Sequence, residues 1–393
     1  MNAQRGLASV HRTNVFRYVM WAGLVVIGFF AIGWADTLKP PGKLVELSGH
    51  RLHVNCSGQG SPTVVVENGL GDFSFDWALV QSRVSQFTRI CTYDRAGYAW
   101  SDPGPKPRSF AQLNLELRDA LAKLGEHGPY VLVGHSYGGP VVRNFALTYP
   151  KETAGLVLVD SAFEGQRVPI GGGKTLRLGD DVKGLTPPAP REEMKDSDKP
   201  ELSGLQPPQD PPTLDPLYKA LPPTEQAMQL WAQSLPTMED AENSQRQWSV
   251  EYFAKWQATP QGGSLGDLPL IVLTRAEGGF GNSLDVPAAQ LENERKEGQA
   301  KLAQLSHNSR QIMVRGGHNM ELESPEAVSS AIHAVVEAVR RHGKVGLLVH
   351  RRAHNCRWPS RAARVRALPG GATRHDCNAD RLRAAIRRPR LHW

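Results

Sequence analysis

Cysteine is scarce in this sequence, and no metal-ligand spacing accompanies it. The 393 residues include four cysteines, Cys56, Cys91, Cys356 and Cys377. None of them is spaced with another cysteine or with histidine as the ligands of a zinc site are. We therefore expect no metal site, and we predict that the protein works without a cofactor.

An excess of positive charge is lacking outside the C-terminal end of the chain. The formal net charge is +7, but the stretch from Lys344 onward holds twelve arginines and one lysine against two aspartates, a balance of +11. The rest of the chain therefore carries −4. The basicity of the whole chain therefore gives no indication of nucleic-acid binding by the main domain, and no nucleic acid partner is expected. Residues 343–393 are Arg-rich without periodicity, which predicts a basic, disordered tail; binding of anionic lipid or nucleic acid is the alternative.

An uncharged apolar run occupies the N-terminus. Arg5, Arg12 and Arg17 precede residues 18–35, a length at the boundary between a signal-peptide core and a transmembrane helix. The positive flank predicts that the N-terminus stays inside. We expect residues 1–36 to be a membrane anchor, with a cleaved signal as the alternative. Either way, the domain beyond Asp36 lies on the periplasmic or extracellular side, anchored or secreted.

Two of the cysteines fall on strand-like runs. Cys56 ends the run that begins at Arg51, and Cys91 lies within the run Phe87–Tyr93. An exported protein permits a disulfide if these strands are neighbours. Two buried free thiols are the alternative, and the sequence leaves both open.

The stretch Pro129–Val142 carries the clearest catalytic pattern. An apolar run of strand length leads into Gly134-x-Ser136-x-Gly138, and a helical pattern follows at once. A nucleophile elbow requires this strand–turn–helix context, because glycines make room for a tight turn that lifts the serine above the sheet edge. Ser136 is therefore a candidate nucleophile. A glycine-rich turn with an idle serine is the alternative.

Strands and helices alternate through most of the chain. Strand-like runs occur at residues 44–47, 51–55, 63–67, 87–93, 129–135, 155–160, 268–274 and 310–314, and helical patterns at 109–124, 140–149 and 324–340. This alternation predicts an α/β fold with a mostly parallel, doubly wound sheet, whose sites lie at the carboxyl ends of the strands.

Several segments, taken in order, resemble the α/β-hydrolase superfamily, in its branch of lipase- and esterase-like serine hydrolases. They are residues 66–71 with Trp77, 91–98, 134–139, 156–160 and 316–318. The resemblance covers about residues 43–342. It implies Ser136 as nucleophile, the backbone amides of Leu70 and Tyr137 as the oxyanion hole, and His318 as general base. An ordinary glycine loop at 68–72 is the alternative for the first amide.

Residues 162–265 do not fit the core pattern. Proline and charged residues dominate the first half, and helical segments follow at 224–235 and 241–257. The superfamily commonly inserts a lid here, so we expect a helical lid that selects substrates and limits water access. For residues 168–215 a partly disordered surface insertion is equally open.

The acid of the triad is left open. The usual position, just after the strand 268–274, holds no aspartate; Glu277 lies near it and Asp285 further on. Asp160, at the end of the preceding strand, is the other position that the superfamily uses. A catalytic histidine needs such a carboxylate to hold its tautomer and stabilise the imidazolium. We expect Asp160, with Glu277 as the alternative and Asp285 behind both.

These features together predict a serine hydrolase that cleaves carboxylic esters through an acyl-enzyme, acting on a small-molecule ester or lipid-like substrate. An amidase or aminopeptidase with the same triad and a non-catalytic binding protein on the same fold are the alternatives. An epoxide hydrolase or haloalkane dehalogenase is disfavoured, because those enzymes place aspartate where Ser136 stands.

Overall fold

An eight-stranded sheet organises the chain in this computed structural model, which describes residues 38–171, 174–178, 189–194, 206, 210–258, 263–276 and 288–346. The strands are β1 (Lys43–Glu46), β2 (Arg51–Ser57), β3 (Val64–Glu67), β4 (Ile90–Tyr93), β5 (Tyr130–His135), β6 (Thr153–Val159), β7 (Arg167–Gly171), β8 (Lys174–Arg177), β9 (Leu270–Arg275) and β10 (Ser309–Val314).

The helices alternate with these strands. They are α1 (Ala78–Val84), α2 (Phe110–Lys123), α3 (Gly138–Thr148), α4 (Pro223–Gln233), α5 (Thr237–Ala258), α6 (Ala288–Ala303), α7 (Met320–Glu323) and α8 (Pro325–Arg340), with 3₁₀ turns at Ser74–Trp77, Pro150–Glu152 and Pro216–Ala220. The helix expected at 109–124 is thus observed at Phe110–Lys123. Its Ser109 cap accepts a hydrogen bond from the Gln112 amide at 3.2 Å, which explains why it begins there.

The sheet is mostly parallel, as expected. Its strand order is β1-β2-β4-β3-β5-β6-β9-β10, and β1 and β2 are antiparallel to their neighbours. From β4 to β10 every pairing is parallel. The carboxyl ends of β3, β5, β6, β9 and β10 therefore meet at one edge, and the loops that leave them lie side by side.

Alternating apolar residues give the sheet a buried face on each side. On one face Leu132 and Leu156 pack with Leu117 of α2 and Phe145 of α3. On the other, Val133 packs with residues of α1 and α8. All of these side chains are nearly fully buried. The three layers follow from the period of two along each strand, which sends successive apolar side chains to opposite faces.

The chain leaves this sheet between β6 and β9, at the position expected for the insertion. Its described parts are the hairpin β7–β8, the 3₁₀ turn Pro216–Ala220, α4 and α5. The two helices pack on loops at the strand ends: Met228 and Ala241 contact the cluster of Phe73 and Tyr98. The hairpin was not expected, because its strands are short and lack a regular apolar alternation.

A disulfide joins Cys56 and Cys91. Of the two expected states, the disulfide and not the pair of free thiols is therefore the one observed. The two residues face each other across β2 and β4 in the antiparallel pairing. The bond therefore ties the antiparallel end of the sheet to its parallel part.

The chain ends lie outside what the structure describes. The expected anchor, residues 1–36, and the tail from Leu347 onward are not among the described residues. Within the described ranges, every helix is too short or too polar to cross a bilayer.

We predict that the Cys56→Ala/Cys91→Ala variant loses about 3–4 kcal/mol of unfolding free energy, because the unfolded chain regains the entropy of a loop of 35 residues. Urea unfolding followed by tryptophan fluorescence measures this. The wild type in dithiothreitol is the matched control and should unfold at the midpoint of the variant. Equal midpoints for the oxidised wild type and the variant would mean that the cysteines are free thiols.

Candidate functional site

Ser136 occupies a sharp turn between β5 and α3. Its φ of 48° is left-handed, a strained conformation for a residue with a side chain. The neighbouring strand holds it there: its amide donates to the Val159 carbonyl at 3.0 Å, and its own carbonyl accepts from the Ala162 amide at 2.9 Å. A side chain at Gly138 would strike the main chain of Glu67, so glycine is required at that position. The elbow geometry expected from the motif is present.

The loop after β3 runs beside this turn. Glu67 and Gly134 are paired in the parallel ladder of β3 and β5. Leu70 and Tyr137 each lie three residues beyond that pair, at the same edge of the sheet. The two amides expected to form an oxyanion hole therefore come from neighbouring strand ends.

Arg95 bonds to main-chain carbonyl groups of the loop that follows β3. Its guanidinium donates to the carbonyl of Asn68 at 2.7 Å and to that of Gly69, and it pairs with the Glu67 carboxylate at 2.8 Å. The same group lies 5.3 Å from the centre of the Tyr137 ring. Since Arg95 is only 1% exposed, these contacts are shielded from water and correspondingly strong. One buried cation thus contacts both segments that carry the two amides.

His318 and Asp160 meet at the same edge. His318 follows β10 and Asp160 follows β6, and Nδ1 of the imidazole lies 2.7 Å from Oδ2 of the carboxylate. Asp160 is buried, whereas the His318 side chain keeps 40% of its accessible surface. A hydrogen on Nδ1 that bonds to the carboxylate leaves Nε2 as the acceptor, which is the tautomer that a general base needs.

Two arginines also face Asp160. The Arg275 guanidinium bonds to Oδ2 and lies 3.3 Å from Nδ1 of His318, and Arg295 Nη1 lies 3.5 Å from Oδ1. Burial alone raises the pKa of Asp160, but the hydrogen bond from His318 and the two guanidinium charges hold it below its ordinary value. Asp160 is therefore a carboxylate at neutral pH, shared between an imidazole and two cations.

The pKa of His318 is lowered from its ordinary value. Loss of water around the part of the ring that faces the protein is the largest cause, although the side chain stays partly exposed, and the charges of His135 and Arg275 act in the same direction. The hydrogen bond to Asp160 opposes them. The balance favours the neutral imidazole at neutral pH, the form that can accept a proton.

A second set of buried ionisable groups lies beneath the elbow. Asp72, His135 and Glu321 place one ligand atom each within 4.8 Å of one another, as the ligands of a metal ion could. However, both ring nitrogens of His135 already face acceptors within the chain, so the ring has no lone pair to offer without giving up a bond. The other such group within the described residues includes Cys56 and Cys91, whose sulfurs are joined to each other.

The structure brings five of the expected site residues to one edge: Ser136, His318, Asp160, Leu70 and Tyr137. The alternative acids Glu277 and Asp285 lie outside the described residues. Sequence reasoning missed the surrounding charges, which are Arg95, Arg275, Arg295, His135 and Asp72. One signal was available, because Arg275 stands directly after the strand where the acid was sought, and a cation there suggests a nearby carboxylate.

Curated relatives match only part of this chain. The Hormonema carpetanum protein efuK, named as a transporter, is 34% identical over 137 residues, which are 32% of this chain and 20% of its own length. YbdG of Bacillus subtilis is 31% identical over 136 residues, 34% of this chain and 42% of its own. The chain therefore spans less than half the length of these relatives.

Solved structures share the fold over more of the chain. A Pseudomonas aeruginosa protein assigned as an epoxide hydrolase superposes with a TM-score of 0.52 at 15% identity, over 76% of this chain and 96% of the other. A protein of Acinetobacter baumannii AYE assigned as a lipase gives 0.50 at 19% identity, over 86% and 100%. At these identities the likeness concerns the fold alone. The model of the alpha/beta hydrolase family matches residues 64–331, more than half of the sequence, and the chain belongs to that family.

Proposed function

We propose that this protein is a serine hydrolase that cleaves carboxylic esters through a covalent acyl-enzyme. Ser136 is the nucleophile, His318 the general base and Asp160 the acid. The observation that carries the proposal is the Asp160-bound imidazole at the strand edge that also holds the strained elbow serine. A nucleophile, a base and an oriented carboxylate in this order are the parts that acyl transfer requires.

The chemistry follows from these positions. Nε2 of His318 accepts the Ser136 hydroxyl proton as Oγ attacks the ester carbonyl, and the buried Asp160 carboxylate stabilises the imidazolium that forms. The backbone amides of Leu70 and Tyr137 donate to the oxygen that gains negative charge. The imidazolium then protonates the departing alcohol, which leaves the acyl group on Ser136. A water molecule, deprotonated by His318, releases the acid and restores the serine.

Apolar side chains of the insertion support an ester or lipid-like substrate. Helix α5 places Tyr252 and Phe253 in one buried cluster with Phe110 and Tyr137, next to the elbow. The Tyr252 ring stacks on Phe110 at 4.6 Å between centroids. We propose that the insertion acts as a lid over the acyl pocket, because these aromatic contacts place it against the residue that follows the nucleophile.

We also propose that the domain acts outside the cytoplasm, held by residues 1–36 as an anchor or released after their removal. The positive flank before the uncharged run at 18–35 supports export. The Cys56–Cys91 disulfide is consistent with an oxidising compartment.

We predict that Ser136→Ala lowers kcat/KM for p-nitrophenyl butyrate by at least about 10³-fold, because no other group can form the acyl-enzyme. Labelling by a fluorophosphonate probe should be lost as well. Ser82→Ala, at an exposed serine of α1, is the matched control and should behave as the wild type. A folded Ser136→Ala variant with full activity would rule out this mechanism.

We predict that Asp160→Asn lowers kcat by about 10⁴-fold, because the amide no longer holds the His318 tautomer or balances the imidazolium. Glu277→Gln should leave kcat nearly unchanged. Steady-state kinetics on both variants, with circular dichroism to confirm folding, decides between the two acids. A large loss in Glu277→Gln and a small one in Asp160→Asn would assign the role to Glu277.

We predict that protease added to spheroplasts of a producing bacterium degrades the hydrolase domain, because residues 1–36 direct it across the inner membrane. A variant lacking those residues is the control and should be protected until the cells are lysed. Immunoblotting with an antibody to the domain measures both. Protection of the full-length protein in intact spheroplasts would place the domain in the cytoplasm.

A further inference from the structure

His135 is a buried histidine that the proposed mechanism does not use. It is the residue before Ser136, and only 1% of its surface is exposed. Its ring centre lies 4.7 Å from that of His318. A titratable ring in contact with the general base affects the charge of that base, so its protonation state matters for catalysis.

Both ring nitrogens of His135 face hydrogen-bond acceptors. Nδ1 lies 2.9 Å from Oδ2 of Asp72, and Nε2 lies 3.0 Å from the main-chain carbonyl oxygen of His318. A carbonyl oxygen only accepts, and so does an ionised carboxylate. Both bonds therefore form at once only when both nitrogens carry hydrogen, which makes the ring an imidazolium.

The state of Asp72 agrees with this assignment. Burial raises the pKa of Asp72, but the hydrogen bond and charge of His135, together with the charge of Arg95, hold it below its ordinary value. Asp72 thus stays a carboxylate and does not itself supply the proton. A side chain at Gly69 would strike the Asp72 carboxylate and approach Nδ1 of His135, so the loop residue beside this pair has to be glycine.

Further acidic groups surround the ring on other elements. Oε2 of Glu321 on α7 lies 3.8 Å from Nε2, and burial raises the pKa of this carboxyl to about 7. Burial and Asp72 together raise the pKa of Asp76 well above its ordinary value. Burial and the same acids raise the pKa of Tyr218, so it stays a neutral phenol. Burial favours the neutral form of His135, but Glu321, Asp72 and the two hydrogen bonds raise its pKa to about 10.

We propose that His135 is a positioning residue with a permanent positive charge. It ties the loop after β3, which carries Leu70 (the Leu70 loop), to the loop after β10, which carries His318 (the His318 loop). It also keeps His318 in its neutral, proton-accepting form. The Nδ1–H group donates to the Asp72 carboxylate in the Leu70 loop, and the Nε2–H group donates to the main-chain carbonyl of His318. The charge and the geometry thus act on the same two segments.

The other charged groups near His318 are Asp160 and Arg275, which both lie at its Nδ1, and Arg295, which faces the second oxygen of Asp160. Asp160 favours the imidazolium, and Arg275 opposes it. Replacing His135 by a neutral residue removes a positive charge and exposes His318 to the uncompensated Asp72. Both changes raise the pKa of His318, so the acid limb of kcat/KM moves to higher pH.

The charge of His135 is tested directly by two-bond ¹H–¹⁵N correlation spectra of the full chain labelled at histidine. We expect both His135 nitrogens to keep imidazolium shifts from pH 6 to 8.5, displaced only slightly as the neighbouring Glu321 carboxyl titrates near pH 7. The variant Asp72→Asn keeps an acceptor but removes the carboxylate, so it should bring the titration of His135 into this range and identify its signals. A neutral tautomer pattern for His135 in the wild type would overturn the proposal.

The effect on the base is tested by the pH profile of kcat/KM in His135→Gln, which keeps a hydrogen-bond donor without the charge. We expect its acid limb to lie at least about one pH unit above that of the wild type. The matched control is His53→Gln. His53 is also buried and bonded through both nitrogens, to Asp94 and to the Pro41 carbonyl, but it lies on β2, three strands from β5. Its acid limb should not move.

These outcomes separate the proposal from the function on which its kinetic part rests. A lower kcat in His135→Gln with an unmoved acid limb would mean that the residue is only structural. If Ser136→Ala keeps its activity, the proposed function fails, while the spectra still report the charge of His135. Should His135→Gln not fold, the same shift of the acid limb is expected in His135→Asn, whose shorter amide also lacks the charge, and its absence would overturn the electrostatic role.

Discussion

The parallel pairing of β5 between β3 and β6 is the constraint on which the site depends. Gly134 is in register with Glu67 on one side and Leu158 on the other. Main-chain hydrogen bonds across these ladders set where each strand ends, and hence where the following loop begins. The Ser136 turn, the Leu70 loop and Asp160 are positioned by this registry, and the bonds from Ser136 to Val159 and Ala162 hold the turn against the end of β6.

Several charged side chains are buried at this edge of the sheet. Arg95, His135 and Asp160 are almost completely buried, and each makes several charge-assisted bonds. A buried ion is costly unless its partners satisfy it, and leaving one unpaired costs about 3–5 kcal/mol. The network therefore has few alternative arrangements, and it holds the loops around Ser136 in one geometry. Pre-organisation of this kind is what transition-state stabilisation by fixed dipoles requires.

Arg275 occupies the position just after the strand 268–274 where the acid of the triad was sought, and this changes how the Asp160 carboxylate is held. An arginine at the end of β9 cannot serve as the acid, but it bonds to the Asp160 carboxylate. The carboxylate is ionised because it accepts a hydrogen bond from His318 and faces two guanidinium groups, and one of these, Arg275, also opposes protonation of His318. The site thus balances one carboxylate against two guanidinium groups and two imidazoles, and the proton affinity of the base is set by that balance.

The sequence by itself determined the fold class, most element boundaries and the elbow, because these depend on local periodicity and on glycines within a few residues of each other. The same local pattern identified Ser136 and pointed to His318. Only the tertiary structure decided the partners of Asp160, the pairing of Cys56 with Cys91 and the two bonds of His135. These contacts join residues that are 35 to 183 positions apart. No propensity encodes them, since they exist only once strand registry has brought the chain segments together.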